Sequence, residues 1–185
     1  MTNIHLVGIS GSLRKGSFNT MLLHAAQELL PAGVTMEIVS FKDLPLYNGD
    51  LDKPSAEERP EAVVAFRDQL AKANGYVIAT PEYNYSIPGG LKNAIDWASR
   101  GQDSPILNKC VALMGATPGM WGTVRSQNAF HPIYQALNWT NVRKPEVFVA
   151  KAAEKFKDGK LADEATREVV RQHLAALKDI ILKNK

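Results

Sequence analysis

Short apolar runs alternate with longer amphipathic stretches along the chain. The short runs predict strands, which lie at residues 4–9, 34–39, 75–80, 109–114 and 147–149. In the second run Thr35 and Glu37 alternate with apolar residues. This alternation favours a place at the edge of a sheet for that strand.

Between the strands, apolar residues recur every three or four positions, which is typical of helices that bury one face. The predicted helices cover residues 17–30, a stretch after Pro60 striped by Val63, Phe66, Leu70 and Ala73, and residues 89–99, 124–137 and 163–182. Asp163 is expected to cap the last helix. The segments 42–60 and 151–159 are expected to be surface excursions.

Strands that alternate with helices predict a parallel sheet covered on both faces. A length of 185 residues suits one domain and is short for two. Neither an internal repeat nor a composition shift marks a boundary. We therefore expect one α/β domain over residues 1–185.

Composition and charge restrict the class of protein further. The hydrophobic fraction of 45% and the charged fraction of 22% are ordinary for a globular protein. Lys plus Arg exceed Asp plus Glu by 22 − 19 = 3 without a basic block, which gives little support for a nucleic-acid partner. Cys110 is the single cysteine, and no apolar run approaches the roughly 20 residues that span a bilayer. We expect a cytoplasmic protein without a membrane partner.

The loop after the first predicted strand is rich in groups that bind anions. It reads Ser-Gly-Ser-Leu-Arg-Lys-Gly-Ser-Phe-Asn from residue 10 to residue 19. Gly11 and Gly16 permit tight turns and a close backbone approach. The following helix points free N–H groups and a positive dipole end at the loop. The side-chain donors are the hydroxyls of Ser10, Ser12 and Ser17, the guanidinium of Arg14 and the amide of Asn19.

Two commoner glycine motifs do not fit this loop. Its glycines Gly8, Gly11 and Gly16 lack the G-x-G-x-x-G spacing of dinucleotide sites. Ser17-Phe18 stands where a Walker A loop needs Lys followed by Ser or Thr. The loop is therefore suited to a monophosphate, although a polar loop in which Ser17 only caps the helix remains an alternative.

A second motif follows the third predicted strand and reads P-E-Y-N-Y-S-I-P-G-G-L-K-N-A-I-D-W over residues 81–97. Together with G-S-L-R-K-G-S-F-N at residues 11–19, it resembles the NADPH-dependent FMN reductase family, and within it the bacterial quinone and chromate reductases. The resemblance implies a flavodoxin-like three-layer fold. In that fold a five-stranded parallel sheet in the order 2-1-3-4-5 carries helices on both faces.

The resemblance also implies a binding site for FMN. The residues expected at the phosphate are Ser10, Ser12, Leu13, Arg14, Ser17, Phe18 and Asn19. The residues expected along the flavin ring are Pro81, Glu82, Tyr83, Asn84 and Tyr85, with Thr117 and Gly119 from the loop after the fourth strand. The plainer alternatives are that Tyr83 and Tyr85 pack in the loop or at a subunit contact, and that the Glu82 carboxylate is solvated or caps a helix.

The expected activity follows from this cofactor. The four histidines lack metal-ligand spacing, no nucleophile elbow is present, and a flavin carries the redox chemistry itself. We expect an FMN-dependent NAD(P)H oxidoreductase that passes electrons to quinones and other small acceptors, chromate and azo compounds included, by a ping-pong mechanism. The alternatives are a flavodoxin-like electron carrier or a regulatory protein. The family implies a homodimer or homotetramer, in which Arg125 and Glu146 are candidates to bridge subunits.

Overall fold

The structure is a computed structural model that describes residues 3–55 and 58–184. Within these ranges six parallel strands form the main sheet: β1 (Ile4–Ser10), β2 (Val34–Val39), β3 (Gly75–Ala79), β4 (Cys110–Ala116), β5 (Thr140–Asn141) and β6 (Val147–Val149). Their order is β2-β1-β3-β4, and β5 and β6 both pair with β4. The flavodoxin-like arrangement and the edge position of β2 are therefore confirmed.

Helices cover both faces of the sheet, and their bounds are α1 (Phe18–Glu28), α2 (Glu61–Ala71), α3 (Gly89–Ala98), α4 (Val124–Asn128), α5 (His131–Ala136), α6 (Ala152–Lys155) and α7 (Glu164–Lys183). Adjacent residues of β1 separate onto the two faces. Leu6 packs in the cluster that holds α1 and α7, whereas Val7 packs in the cluster that holds α2 and α3. This double burial explains why the central strands are almost entirely apolar.

The prediction of one continuous helix over residues 124–137 is wrong. The structure has two short helices there, because α4 ends at Asn128 and α5 begins at His131. Pro132 stands in the first turn of α5. In an unbroken helix its ring would clash with the carbonyl of the residue four positions earlier, which is Asn128.

The far edge of the sheet is also more divided than predicted. The strand at residues 147–149 is confirmed as β6, which pairs with the second half of β4. The two-residue strand β5 pairs with the first half and was not predicted. The surface segment after β6 contains α6 and a small hairpin of β7 (Phe156–Lys157) and β8 (Lys160–Leu161). Asp163 caps α7 as predicted, since its carboxylate accepts the N–H of Thr166.

An ion cluster fastens the surface excursion before α2 to the loop between α3 and β4. The Arg59 guanidinium, 2% exposed, lies 2.7 Å from Asp103 and 3.1 Å from Asp52. Arg67 lies 2.9 Å from the same Asp103 carboxylate. The hydrogen bond from Arg59, with the positive charge of Arg67, lowers the pKa of Asp103 to about 2.

Among the described helices, none combines the length and the apolar composition needed to cross a membrane.

Candidate active site

Three loops meet at the carboxyl edge of the sheet, where parallel α/β folds bind their ligands. They follow the adjacent strands β1, β3 and β4 and enclose a cleft of about 510 Å³. This volume lies within the range of small-molecule sites. The predicted site residues that line the cleft are Ser12, Arg14, Ser17, Phe18, Asn19, Pro81, Glu82, Tyr83 and Thr117.

The start of α1 forms the anion-binding end of this cleft. Ser17 has extended backbone geometry, and its hydroxyl accepts the N–H groups of Asn19 and Thr20 as a helix cap. Gly16 has φ +68°, a conformation that favours glycine. The Arg14 guanidinium donates to the Gly16 carbonyl at 3.1 Å and keeps its remaining donors free for a ligand. The helix dipole and Arg14 together favour an anion at this place.

Gly11 explains how the first and second loops come so close. A Cβ added there would lie 2.9 Å from Pro81 and 2.9 Å from Leu91. The Gly11 N–H donates to the Ala79 carbonyl at 2.8 Å. The absence of a side chain therefore lets the loop after β1 lie directly against the loop after β3.

The Asn19 side chain, predicted at the phosphate, joins the start of α1 to the end of β4. Its amide nitrogen donates to the Ala116 carbonyl at 2.9 Å, and its amide oxygen accepts the Ala116 N–H at 2.9 Å. One N–H of the amide and its oxygen are thus engaged by the end of β4. The side chain positions one wall of the cleft, and the second N–H of the amide is the donor that it could offer to a phosphate.

The loop after β3 ends in a tight turn. The N–H and C=O groups of Tyr83 and Ser86 pair with each other at 3.2 and 3.0 Å. Asn84 and Tyr85 at the tip have φ +50° and φ +63°, as in a type I′ turn. Positive φ is unfavourable for tyrosine, and such strain concentrates at functional sites. The structure places Asn84 and Tyr85 at this exposed tip rather than among the residues that line the cleft.

Glu82 caps α4, which confirms the capping alternative for its carboxylate. One carboxylate oxygen accepts the backbone N–H groups of Arg125 and Ser126 at 2.9 and 3.3 Å, and the other accepts from the Arg125 guanidinium at 3.1 Å. Thr123, the local N-cap residue, has φ +65° and makes no side-chain cap bond. A residue 43 positions away in sequence therefore supplies the cap.

Arg125 joins two loops of the same chain, a role that the sequence reasoning missed. Its guanidinium carbon lies 4.3 Å from the ring centre of Tyr85 and 4.6 Å from that of Trp121. Cation–π contacts of this kind connect the rims of the second and third loops. Tyr85 and Trp121 are nevertheless 71% and 63% exposed. The sequence analysis named Arg125 as a candidate to bridge subunits, whereas the structure shows it joined to Glu82, Tyr85 and Trp121 of its own chain.

The remaining predicted residues lie at the margin of the cleft. The Gly119 N–H donates to the Thr117 hydroxyl at 3.3 Å, and its carbonyl accepts from the Lys151 N–H at 2.9 Å, so its backbone groups are occupied. The Ser10 hydroxyl pairs with that of Thr20 at 2.8 Å. Ser10 and Leu13 line a neighbouring cleft instead. In the described part of the chain, no group of three His, Cys, Asp or Glu residues could hold a metal ion.

The chain is similar to known proteins along almost its whole length. A family model described as NADPH-dependent FMN reductase matches residues 4–154. An NAD(P)H-dependent FMN reductase of Pseudomonas aeruginosa is 43% identical over 95% of this chain and 94% of its own. A quinone reductase of Escherichia coli is 37% identical over 96% and 95%. The solved structure of FerB, a flavoenzyme NAD(P)H:(acceptor) oxidoreductase from Paracoccus denitrificans, has a TM-score of 0.87, 31% identity and 98% coverage of both chains.

Proposed function

Because the chain belongs to the NADPH-dependent FMN reductase family, we propose that it oxidises NAD(P)H and passes the electrons through bound FMN to quinones. The observation that carries this proposal is the single cleft that joins an anion-binding helix start to the loop 81–83. A mononucleotide with one phosphate and one flat ring requires this combination. The names of the quinone reductase relatives support quinones as the acceptors.

Different residues of the cleft bind the phosphate and the ring of FMN. The phosphate is held by the N–H groups at the start of α1 that the Ser17 hydroxyl leaves unbonded, and by the side chains of Ser12 and Arg14. Pro81 and Tyr83 from the loop after β3 and Thr117 from the loop after β4 line the same cleft and would lie along the ring. Bound FMN supplies the redox chemistry, so the protein needs no acid, base or nucleophile of its own for the electron transfer.

The protein's part is to fix these walls before the ligand arrives. Asn19 ties the start of α1 to the end of β4, and Glu82 ties the loop after β3 to α4. Both contacts are made by side chains of the protein itself and need no ligand.

We propose that the electron donor, NAD(P)H, and the electron acceptor, a quinone, use this one cleft in turn, which gives ping-pong kinetics.

The visible spectrum of the purified protein tests the cofactor, and steady-state oxidation of NADPH with menadione tests the activity. We expect flavin absorbance, and parallel lines in double-reciprocal plots at several menadione concentrations. A colourless protein that gains no absorbance with FMN contradicts the whole proposal. A flavin-loaded protein that does not oxidise NADPH or NADH is an electron carrier or a regulatory protein, and intersecting lines contradict the shared cleft. Chromate and azo compounds replace menadione in the same assay to test them as further acceptors.

We also propose that the protein forms a homodimer or homotetramer. The supporting observation is the exposed aromatic rim of Tyr83, Tyr85 and Trp121, because large exposed apolar side chains in one patch are typical of interfaces. Light scattering coupled to size-exclusion chromatography measures the mass. A monomer at micromolar concentration contradicts the proposal.

A further inference from the structure

A small hairpin lies against the protein close to the start of α1. Its strands β7 and β8 are joined by Asp158-Gly159, whose φ values of +50° and +78° are those of a type I′ turn. Phe156 lies opposite Leu161, and Lys157 lies opposite Lys160. Residues directly opposite each other in an antiparallel pair share a face. The hairpin therefore turns its aromatic and aliphatic pair toward the core and its two exposed lysines toward solvent.

Contacts on two sides fix this hairpin in place. Leu161 is 2% exposed and packs in the core cluster that includes residues of α1 and α7. The Arg167 guanidinium of α7 donates to the Leu161 carbonyl at 3.2 Å. Before the hairpin, the Ala152 N–H donates to the carbonyl of Thr117, in the loop after β4, at 2.9 Å. The segment between these contacts is therefore a braced part of the fold.

The ring of Phe156 contacts the residue at which α1 begins. The centres of the Phe156 and Phe18 rings lie 5.4 Å apart, and the two planes are inclined at 48°. This spacing is typical of an attractive aromatic pair. Phe18 lines the cleft proposed for FMN, whereas Phe156 does not. The hairpin thus supports, from outside the cleft, a residue of its anion-binding end.

The backbone N–H of Phe18 is the group that this contact positions. The Ser17 hydroxyl accepts the N–H groups of Asn19 and Thr20. In the part of the chain that the structure describes, the Phe18 N–H makes no hydrogen bond. A free donor at a helix start points out of the helix toward a bound anion. Its direction depends on the place of the first turn, which Asn19 fixes on the side of β4 and Phe156 on the side of the hairpin.

We propose that Phe156 is a positioning residue for the phosphate of FMN, and that the hairpin thereby sets how long the protein retains its cofactor. This inference rests on the proposed function, because it concerns the same cleft. A donor that is held in place before binding loses little freedom when the phosphate arrives, and this raises the affinity. Without the Phe156 ring, the start of α1 keeps its link to β4 but loses its support on the hairpin side, so the ordering of this turn opposes the binding of FMN.

The test compares Phe156→Ala with the control Ile180→Ala. Ile180 is also partly buried against the same core cluster. It stands near the end of α7, where Ile181 lies beside the start of β3 and Asn184 donates to the sulfur at the start of β4. This is the edge of the sheet opposite the cleft. Both variants should lower the urea midpoint of the apoprotein, and that loss measures the purely structural part of each change.

Two flavins separate the phosphate from the ring. FMN and riboflavin share the ring and the ribityl chain and differ in the 5′-phosphate. For Phe156→Ala we expect the Kd for FMN to rise about 2–10-fold, which corresponds to the free energy of one aromatic pair. FMN should also leave the loaded variant faster on dilution. The Kd for riboflavin should stay within about twofold of the parent value, and Ile180→Ala should leave both values unchanged in the same fluorescence titrations.

Two conservative variants complete the series. Phe156→Tyr keeps the ring at a partly exposed position and should bind FMN as tightly as the parent. If Phe156→Ala does not fold, Phe156→Leu replaces it, because leucine keeps an apolar side chain without the ring. Its Kd for FMN should rise by a smaller factor, again without a change for riboflavin.

Three results overturn the inference while leaving the proposed function intact. The first is unchanged FMN affinity in Phe156→Ala. The second is an equal rise in the Kd for FMN and for riboflavin, which would mean that the whole cleft has loosened. The third is an equal effect of Ile180→Ala, which would mean that overall stability decides the affinity. A parent protein that gains no flavin absorbance refutes the proposed function and this inference with it, whereas a flavin-loaded parent that oxidises neither NADPH nor NADH refutes the activity alone.

Discussion

The replacement of Glu82 by alanine measures how much the cap on α4, which joins two walls of the cleft, contributes to the free energy of unfolding. The carboxylate is 13% exposed and takes the place of a missing local cap on α4. Loss of an N-cap acceptor costs about 0.5–2 kcal/mol. The favourable charge at the helix N-terminus contributes about 0.3–1 kcal/mol more. The ion pair with the partly exposed Arg125 adds at most about 1 kcal/mol after screening.

These contributions together predict that Glu82→Ala lowers the free energy of unfolding by about 2–3 kcal/mol. For a chain of 185 residues this corresponds to a fall in Tm of about 4–12 °C. The assay is urea unfolding of the apoprotein, followed by circular dichroism, so that no ligand adds to the stability.

Two further variants separate the cap from the ion pair. Glu82→Gln keeps an oxygen acceptor for the helix and should lose about half as much as Glu82→Ala. Arg125→Ala removes the ion pair and the ring contacts but leaves the cap, and should cost about 1–1.5 kcal/mol. The capping argument is refuted if Arg125→Ala costs as much as Glu82→Ala, or if Glu82→Ala costs less than about 0.5 kcal/mol.

Four further predictions follow from the structure. Arg14→Ala should weaken FMN binding by about 1–3 kcal/mol, measured by flavin fluorescence titration, and unchanged affinity would remove Arg14 from the site. Asn19→Ala leaves the buried N–H and C=O of Ala116 unpaired and should cost about 2–4 kcal/mol in urea unfolding, whereas a cost below about 1 would contradict the bridging role. Asp103→Asn should cost about 2 kcal/mol at pH 7, allowing for the half-exposed carboxylate. The pKa of Asp103 in the folded protein is about 2, below its ordinary value of 3.8, so this stabilisation is fully present above about pH 4. Urea unfolding of the parent and the variant should therefore give converging free energies as the pH falls to about 2. Burial lowers the pKa of His173, although hydrogen bonds to the Pro145 and Leu113 carbonyls oppose this shift. The stability that the neutral imidazole contributes should therefore be complete above about pH 6.5 and decrease below it. In thermal unfolding, His173→Gln should remove that part of the pH dependence.

The fold was largely predictable because its signals are local. The buried strands are apolar without interruption, and Asp163 and Ser17 stand where helix caps are expected. The split after Asn128 was foreseeable from Pro132, whose ring interrupts the helix at a known offset. The strand β5 was not, because two polar residues carry no periodicity.

The candidate site was predictable only in its residue types. The glycines and hydroxyl groups of the loop at residues 10–19, together with the helix that follows it, indicate an anion site. The partner of each side chain is a matter of tertiary structure. Glu82 and Arg125 lie 43 positions apart, and no local pattern indicates that one caps the helix of the other. The same holds for Asn19, whose short polar side chain suggests a ligand donor and does not indicate its partner on β4.

The pairing of Asn19 with Ala116 spans 97 positions, so it cannot form until most of the sheet has been synthesised. A ribosome has to extrude β4 before the amide of Asn19 finds its partner, so a shorter nascent chain contains the helix but not the finished cleft. Contacts of such separation form late, because the loop-closure entropy opposes them until the sheet has assembled. A nascent chain that ends before Ala116 therefore lacks this wall of the cleft, and we expect flavin to load only after β4 has left the ribosome.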